Sequence, residues 1–380
     1  MQEVAHGSAP LVVLDPMAGS GTVLRQASES GHRALGFDCD PLAVLMSTVW
    51  TTPVSDEVIG VVASEVLDRA TKRRGRVPLP WVDGDDETLA FVNYWFADPQ
   101  QRDLRRLAWA IRECESRYSW ARRRALNVVR TALSKIVITK DAGASLARDV
   151  SHSRPHRVAS DSDYDVFDGF RRSLRSLRRL LLAEPPKRGV AVQIGDARRL
   201  AVRAESVDLV LTSPPYLNAI DYLRGHRFAL VWLGYRLSEL RGIRAEAVGT
   251  ERAEGGDSTE YVSNIVEAMT PPDRLAARQL RMIQRYARDL QLIMLEARRV
   301  LRSGGRAVMV VGNSCVRGEF VRNSEGVIMA ARQAGLELED EIERELPEAR
   351  RYLPLVGTRN PLLGKRMRTE SVLAFSRPAA

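Results

Sequence analysis

The sequence predicts an α/β protein: a parallel, doubly wound sheet interrupted by a long helical insertion. Three observations predict it. The chain opens as strand, glycine turn, helix and strand; its apolar spacing turns helical after Trp50; and short apolar runs return from Val190 onward.

Leu11 to Leu14 is an apolar run ending at Asp15-Pro16, followed by the tight turn Gly19-Ser20-Gly21-Thr22 and a helical stretch from Val23 to Ser30 that Gly31 stops. Ala34 to Phe37 reads as a second buried strand closed by Asp38, and Pro41 opens a helix through Leu42, Leu45 and Met46. This βαβα unit, residues 1–50, is the first part of the sheet domain. Residues 51–187 form the insertion, with an aromatic cluster (Trp81, Phe91, Tyr94, Trp95, Phe96, Trp109, Tyr118, Trp120). From 188 to 380 the sheet domain resumes, with strands at Val190 to Ile194, Val207 to Leu211, Ala307 to Val311 and Ser371 to Phe375. The polar, glycine-containing stretch 238–272 is expected to be a long mobile loop.

Charge narrows the partners. The 380 residues carry a net +9, and all but five of the 57 basic side chains are arginine, whose fork suits phosphates and base edges. A GC-rich genome also favours arginine codons, so position has to decide. Nine arginines against three acids fall between Arg102 and Arg130, inside the insertion, and a later helix puts Phe167, Phe170, Leu174, Leu177 and Leu181 on one face with Arg171, Arg172, Arg175, Arg178 and Arg179 largely on the other. The concentration points to nucleic acid, with Arg122, Arg123, Arg124, Arg171, Arg175 and Arg178 as contacts.

Several classes fall away. Cys39, Cys114 and Cys315 are too few and scattered for a disulfide framework, and His152 and His156 have no cysteine pair before them to complete a zinc site, so no metal is expected. No apolar run approaches the roughly 18 to 20 residues of a spanning helix, and the first ten residues lack the regions of a signal peptide. A soluble, cytoplasmic protein without a membrane partner is expected.

Two constellations carry chemistry. Glycines at the end of the first strand let the backbone approach a ligand, and the next helix offers free N–H groups. The turn lacks a P-loop lysine and, with Leu24, the third glycine of a dinucleotide fingerprint; Asp38 follows at the end of strand two, where a carboxylate can hold ribose hydroxyls. Thr212-Ser213-Pro214-Pro215-Tyr216 follows a buried strand; its prolines remove backbone donors and leave carbonyl acceptors, Ser213 adds a hydroxyl and Tyr216 a flat face.

Together these residues resemble the S-adenosylmethionine-dependent DNA methyltransferases that modify exocyclic amino groups. The likeness covers about 45 residues at the start and most of the chain after Val190. It implies a Rossmann-like class I methyltransferase sheet. It also implies S-adenosyl-L-methionine at Asp15, Pro16, Ala18, Gly19, Ser20, Gly21, Thr22, Asp38 and Cys39 and, near the adenine, at Asp196 and Ala197 of Gly195-Asp196-Ala197-Arg198. Ser213, Pro214, Pro215 and Tyr216 are then the catalytic turn. In the family, Ser at the first of these positions usually goes with cytosine N4, and Asp or Asn with adenine N6.

The resemblance implies direct transfer. Ser213 and the Pro214 carbonyl would accept the hydrogens of a conjugated amino group, and Tyr216 would stack on the extruded base. Cytosine C5 transfer would need a Pro-Cys nucleophile, and the three cysteines follow Asp38, Glu113 and Ser314. Alternatives are an adenine-N6 enzyme, an RNA guanine-N2 methyltransferase, which usually carries Asp or Asn before Pro-Pro, and a non-catalytic DNA-binding subunit of a modification complex. The family usually has a segment before the glycine turn that lines the methionine end, and only ten residues precede Leu11. The resemblance and the arginine-rich insertion make double-stranded DNA the expected partner, with room for a second subunit or homodimer and for a cognate restriction nuclease.

Overall fold

The computed structural model describes residues 9–139, 142–148, 155–217, 221–249, 259–272, 275–316, 318–345 and 369–379. In chain order, β1 (Val12–Asp15), α1 (Thr22–Glu29) and β2 (Arg33–Asp38) are followed by the helices α2 (Pro41–Thr51), α3 (Asp56–Lys72), α4 (Pro80–Asp83), α5 (Asp86–Trp95), α6 (Asp98–Arg117) and α7 (Trp120–Val137). A two-residue pair, β3 (Ala147–Arg148) and β4 (His156–Arg157), precedes α8 (Val166–Ala183). Strands β5 (Val190–Ile194) and β6 (Val207–Thr212) lead into α9 (Leu223–Trp232), α10 (Leu237–Glu246), α11 (Glu260–Met269) and α12 (Ala277–Val300). The rest is β7 (Leu301–Gly312), β8 (Ser314–Val316), β9 (Glu319–Val321), α13 (Asn323–Gln333), β10 (Glu337–Glu345) and β11 (Thr369–Ser376).

Two compact units result. The first comprises Met1–Cys39, Gly189–Ile220 and Ala245–Ala380, and the second Asp40–Arg188 with Asp221–Arg244. The first holds a seven-stranded sheet in the order β10-β11-β7-β6-β1-β2-β5. Only β11 runs against the others, pairing antiparallel with both β7 and β10. That order and that single reversed strand are the class I methyltransferase architecture.

Alternation along the central strands decides which side chains face which layer. Leu14, Val210, Ala307, Met309, Leu373 and Phe375 face a core shared with Ile265, Leu290, Met294 and Ala331 of α11, α12 and α13. On the other face Val13, Ala34 and Leu209 meet Leu24 and Ala27 of α1. That contact is close because β2 has a glycine there. A Cβ on Gly36 would lie 2.3 Å from a methyl of the fully buried Leu24.

The second unit has its own core. Phe96, Phe170, Phe228 and Trp232 are fully buried, Phe96 meets Trp232 edge-on at 5.1 Å, and the Trp81 indole donates to the Val231 carbonyl at 2.8 Å. This unit is larger than the segment 51–187: it begins at Asp40 and takes in α9, because Leu42, Val49, Phe228 and Trp232 bury their apolar faces in the same cluster.

One expectation for the later chain is corrected. The stretch 238–272 is not one loop among the described residues: α10 runs to Glu246, and α11 buries Val262, Ile265, Val266 and Met269, a helical stripe capped by the Thr259 hydroxyl. Residues 250–258 lie outside the described residues. Ser371 to Phe375 is a strand as expected, the centre of β11 and the last strand in chain order among the described residues. It pairs with β10, whose sequence ELEDEIERE is exposed along its length and carries no burial signal to find it by.

Gly36→Ala should destabilise the fold by about 1–3 kcal/mol, the usual cost of overfilling a packed core. Pairing it with Leu24→Ala should recover part of that loss relative to the sum of the two single changes, as read by chemical denaturation.

Candidate functional site

The sheet order reverses between β1 and β6: β2 and β5 extend one way, β7 and β11 the other. Ligands of open α/β sheets bind beyond the carboxyl ends of strands at such a point. Asp15 is the last residue of β1, and Thr212 the last of β6.

The glycine turn is fastened at both ends. The Ala18 amide donates to the Phe37 carbonyl at 2.8 Å, and the Gly19 amide to Asp38 Oδ2 at 2.8 Å, so the acid at the end of β2 holds the turn that follows β1. Gly19 and Gly21 have φ of 51° and 88°, a region that side chains with a Cβ rarely adopt. A Cβ on Gly19 would meet nothing within 4 Å, which leaves space over the turn, and no side chain caps the first turn of α1. An open turn, uncapped helix donors and an adjoining carboxylate suit a ligand with polar or anionic groups. Ser20 and Thr22 are exposed, Pro16 and Ala18 buried, and Cys39 half-buried.

Asp15 and Thr212 join the two constellations. Asp15 Oδ1 accepts from the Met17 amide at 3.1 Å and from Thr212 Oγ1 at 2.7 Å, with both side chains buried. Burial pushes the Asp15 carboxyl up to about 7; the bonds from Thr212 and Met17 oppose the rise, and the charge of Asp38 adds to it. Beyond Thr212, Ser213 is exposed, Pro214 buried, and Pro215 and Tyr216 half-buried. The Tyr216 hydroxyl donates to Glu370 Oε1 at 3.0 Å.

Asp196, expected near the adenine, is held by its neighbour. Its carboxylate accepts from the Arg198 amide at 2.9 Å and from the Arg198 guanidinium at 2.8 to 3.1 Å. Arg198 in turn donates to Asp289 at 2.8 Å, and Asp289 accepts from the Gly249 amide at 3.0 Å. Burial would raise the Asp196 carboxyl, but the Arg198 hydrogen bonds and charge outweigh it and hold the group below its ordinary value. It is therefore an ionised acceptor. Ala197 beside it is buried.

The two turns of the sheet and the arginines expected to contact nucleic acid fall in different units. In the helical unit, Arg122 donates to Glu65 at 3.1 Å, Arg123 to the Tyr118 carbonyl at 3.1 Å, and the Arg124 guanidinium lies 3.3 Å from the centre of the exposed Trp120 ring. Arg171 and Arg175 are exposed along α8. Arg178 differs from them: it grips Asp56 with Nε at 2.6 Å and Nη2 at 2.7 Å, a forked pair that staples α8 to α3. A guanidinium so engaged is committed to the fold. Other polar residues after the Ser-Pro-Pro-Tyr turn are also engaged, His226 with Asp40, Asp221 with Arg224 and Arg244, and Arg227 over the Phe91 ring. Asn218 and His152 lie outside the described residues, among which no group of metal-ligating side chains occurs.

Among curated proteins, the chain is similar to the type II methyltransferase M.BsoBI of Geobacillus stearothermophilus, 24% identical over 259 residues. The match covers 61% of this chain and 49% of that protein, so the chain spans about half the length of the curated relative it matches. No protein-family model matches the chain. Among solved structures, a SAM-dependent methyltransferase of Methanosarcina mazei aligns over 99% of this chain and 96% of its own, at 9% identity and a TM-score of 0.34. A Thermus thermophilus protein described as a candidate DNA modification methylase, complexed with S-adenosyl-L-methionine, aligns over 49% of this chain and 52% of its own, at 18% identity and a TM-score of 0.27. These structural likenesses are too low to bear on the site, and the fold rests on its own strand order.

Sequence reasoning placed the glycine turn, Asp38 and the Ser-Pro-Pro-Tyr turn, and missed Glu370 and Asp289. The contact between Tyr216 and Glu370 spans 154 residues, and that between Arg198 and Asp289 spans 91. No local signal marks either partner.

Asp15 yields a pH prediction. Its carboxyl rises from 3.8 to about 7 in the folded chain, so between those values the native state holds a proton the unfolded chain has lost. Stability from this group is present at low pH and falls as pH rises through that window. The melting temperature of Asp15→Asn minus that of the unchanged protein should therefore grow from pH 4 to pH 7 and then level off, as measured by thermal melts across pH.

Proposed function

We propose that this protein is an S-adenosylmethionine-dependent DNA methyltransferase acting on an exocyclic amino group, with cytosine N4 as the acceptor. The observation that carries the reading is the buried Thr212 to Asp15 hydrogen bond, which brings the glycine turn and the Ser-Pro-Pro-Tyr turn together at the point where the sheet order reverses. The similarity to a type II methyltransferase supports the same activity.

The residues fit the cofactor. Gly19 leaves open space, the first turn of α1 presents uncapped N–H donors, Asp38 stands beside the turn and Asp196 is an ionised acceptor held in place by Arg198. When bound, the cofactor supplies an electrophilic sulfonium methyl group. The chain's own task is to make a poor nucleophile available, because an exocyclic amino lone pair is delocalised into its ring. The exposed Ser213 hydroxyl and the Pro214 carbonyl accept its two hydrogens and favour a pyramidal nitrogen, while the Tyr216 ring orients the extruded base. Ser213, where an adenine-N6 enzyme usually has Asp or Asn, favours cytosine.

The helical unit is proposed to bind the DNA. Arg171 and Arg175 line an exposed face of α8, and Arg124 stacks on the exposed Trp120, an arrangement suited to phosphate and sugar contacts. No described helix is long and apolar enough to cross a membrane.

Incubation with labelled cofactor and mixed-sequence duplex DNA, followed by mass spectrometry of the nucleosides, is expected to yield N4-methylcytosine. N6-methyladenine would move the acceptor, label only in RNA would replace the substrate, and cofactor binding without transfer would leave a binding subunit. Ser213→Ala and Tyr216→Ala should each lower transfer by roughly a hundredfold, in keeping with loss of positioning in a reaction that depends on it. Neutralising Arg122, Arg123, Arg124, Arg171 and Arg175 should weaken DNA binding and flatten its salt dependence, by about one slope unit per lost phosphate contact. Arg178→Gln should instead lower the melting temperature, since its partner is Asp56.

A further inference from the structure

Tyr216 is held at three points. Its hydroxyl donates to Glu370 Oε1 at 3.0 Å, and the other oxygen of that carboxylate accepts from Arg344 of β10 at 2.7 Å. Its ring lies against Gly312, where a Cβ would stand 2.8 Å from Tyr216 Cε2 and 3.1 Å from Cζ. The carbonyl of the next residue, Leu217, accepts from Ser314 Oγ at 2.7 Å. Asn323, fully buried, donates both to Ser314 Oγ and to the Gly312 carbonyl at 2.8 Å, so the seat itself is braced.

Strand register makes the seat. Gly312 at the end of β7 pairs directly with Glu370 at the start of β11, which places the bare backbone and the carboxylate side by side at one end of the paired strands. Any larger side chain at 312 would displace the ring. Loss of the carboxylate would free its outer end to swing. Glu370 is only 13% exposed, so the bond competes weakly with water.

We propose that Glu370 is a positioning residue for methyl transfer: through the Tyr216 hydroxyl, with Gly312 against the ring, it fixes the aromatic face on which the target base stacks. This rests on the DNA methyltransferase reading above. It also gives the reversed strand β11 a part in the site, because that strand brings a carboxylate to the tyrosine.

The test uses the full chain in four variants: Glu370→Leu, Glu370→Gln, Tyr216→Phe and the double change Glu370→Leu with Tyr216→Phe. One readout needs no activity. In protein labelled with carbon-13 at the tyrosine ζ position, the Tyr216 signal, assigned by its loss in Tyr216→Phe, should shift in Glu370→Leu and stay near its place in Glu370→Gln, whose amide oxygen still accepts. The second readout is transfer of labelled methyl groups to unmethylated mixed-sequence duplex DNA. Glu370→Leu should lower kcat/KM for DNA by roughly tenfold with cofactor Kd unchanged in calorimetric titration, and Glu370→Gln should recover most of it. The double variant should be no worse than either single one, as expected when two groups act through one bond.

A Tyr216 signal unmoved in Glu370→Leu, transfer equal to that of the unchanged protein, or additive losses in the double variant would each overturn the proposal. If Glu370→Leu does not fold, Tyr216→Phe removes the same bond without placing an apolar group on β11, and full activity there decides against it. An unchanged protein that transfers nothing to DNA overturns the parent reading and the role with it, while the carbon-13 signal still reports whether the pair exists.

Discussion

A hydrogen bond of 2.7 Å between Thr212 and Asp15, buried where two parallel strands end, is the constraint on which the site depends. Both residues close a strand, so the bond fixes the take-off of both turns at once. The Asp15 carboxyl has little solvent to turn to and would be costly to bury unpartnered. Thr212 Oγ1 and the Met17 amide share its Oδ1, and the glycine turn is tied on its far side to Asp38. The two turns are therefore held from beneath by side chains at the ends of their own and neighbouring strands.

A similar division between holding and touching runs through the charged residues. The chain has 57 basic side chains, yet many have partners within the fold. Arg105 is forked on Asp83, Arg178 on Asp56, Arg130 reaches Glu115, and Arg198 spans Asp196 and Asp289. Such pairs fix neighbouring elements at the cost of desolvating both charges. What remains unpaired with acids among the described residues is a smaller set on exposed helix faces, such as Arg171 and Arg175 of α8, so the net +9 overstates the charge these faces present.

The peripheral strands show why part of the fold was hidden. Central strands β1 and β6 are apolar runs, as strands buried on both faces must be, and they read plainly in the sequence. Strand β10 is an edge with nine exposed residues, most of them acidic; charge there discourages pairing with another chain and removes the apolar pattern that marks a strand. Helix α11 was concealed differently, since its short apolar stripe lies between polar stretches and gains its stability from packing against α13.

By itself the sequence determined the sheet's central strands, the glycine turn after β1, Asp38 at the end of β2 and the Ser-Pro-Pro-Tyr turn after β6, because each is written in contiguous residues whose backbone geometry follows from local chemistry. Only the tertiary structure decided which arginines are spent on ion pairs, which helices share the second core, and that Glu370 and Gly312 seat Tyr216. The physical reason is separation: a hydrogen bond across 154 residues depends on strand register, and register is settled by the packing of the whole sheet, not by the residues on either side of the bond.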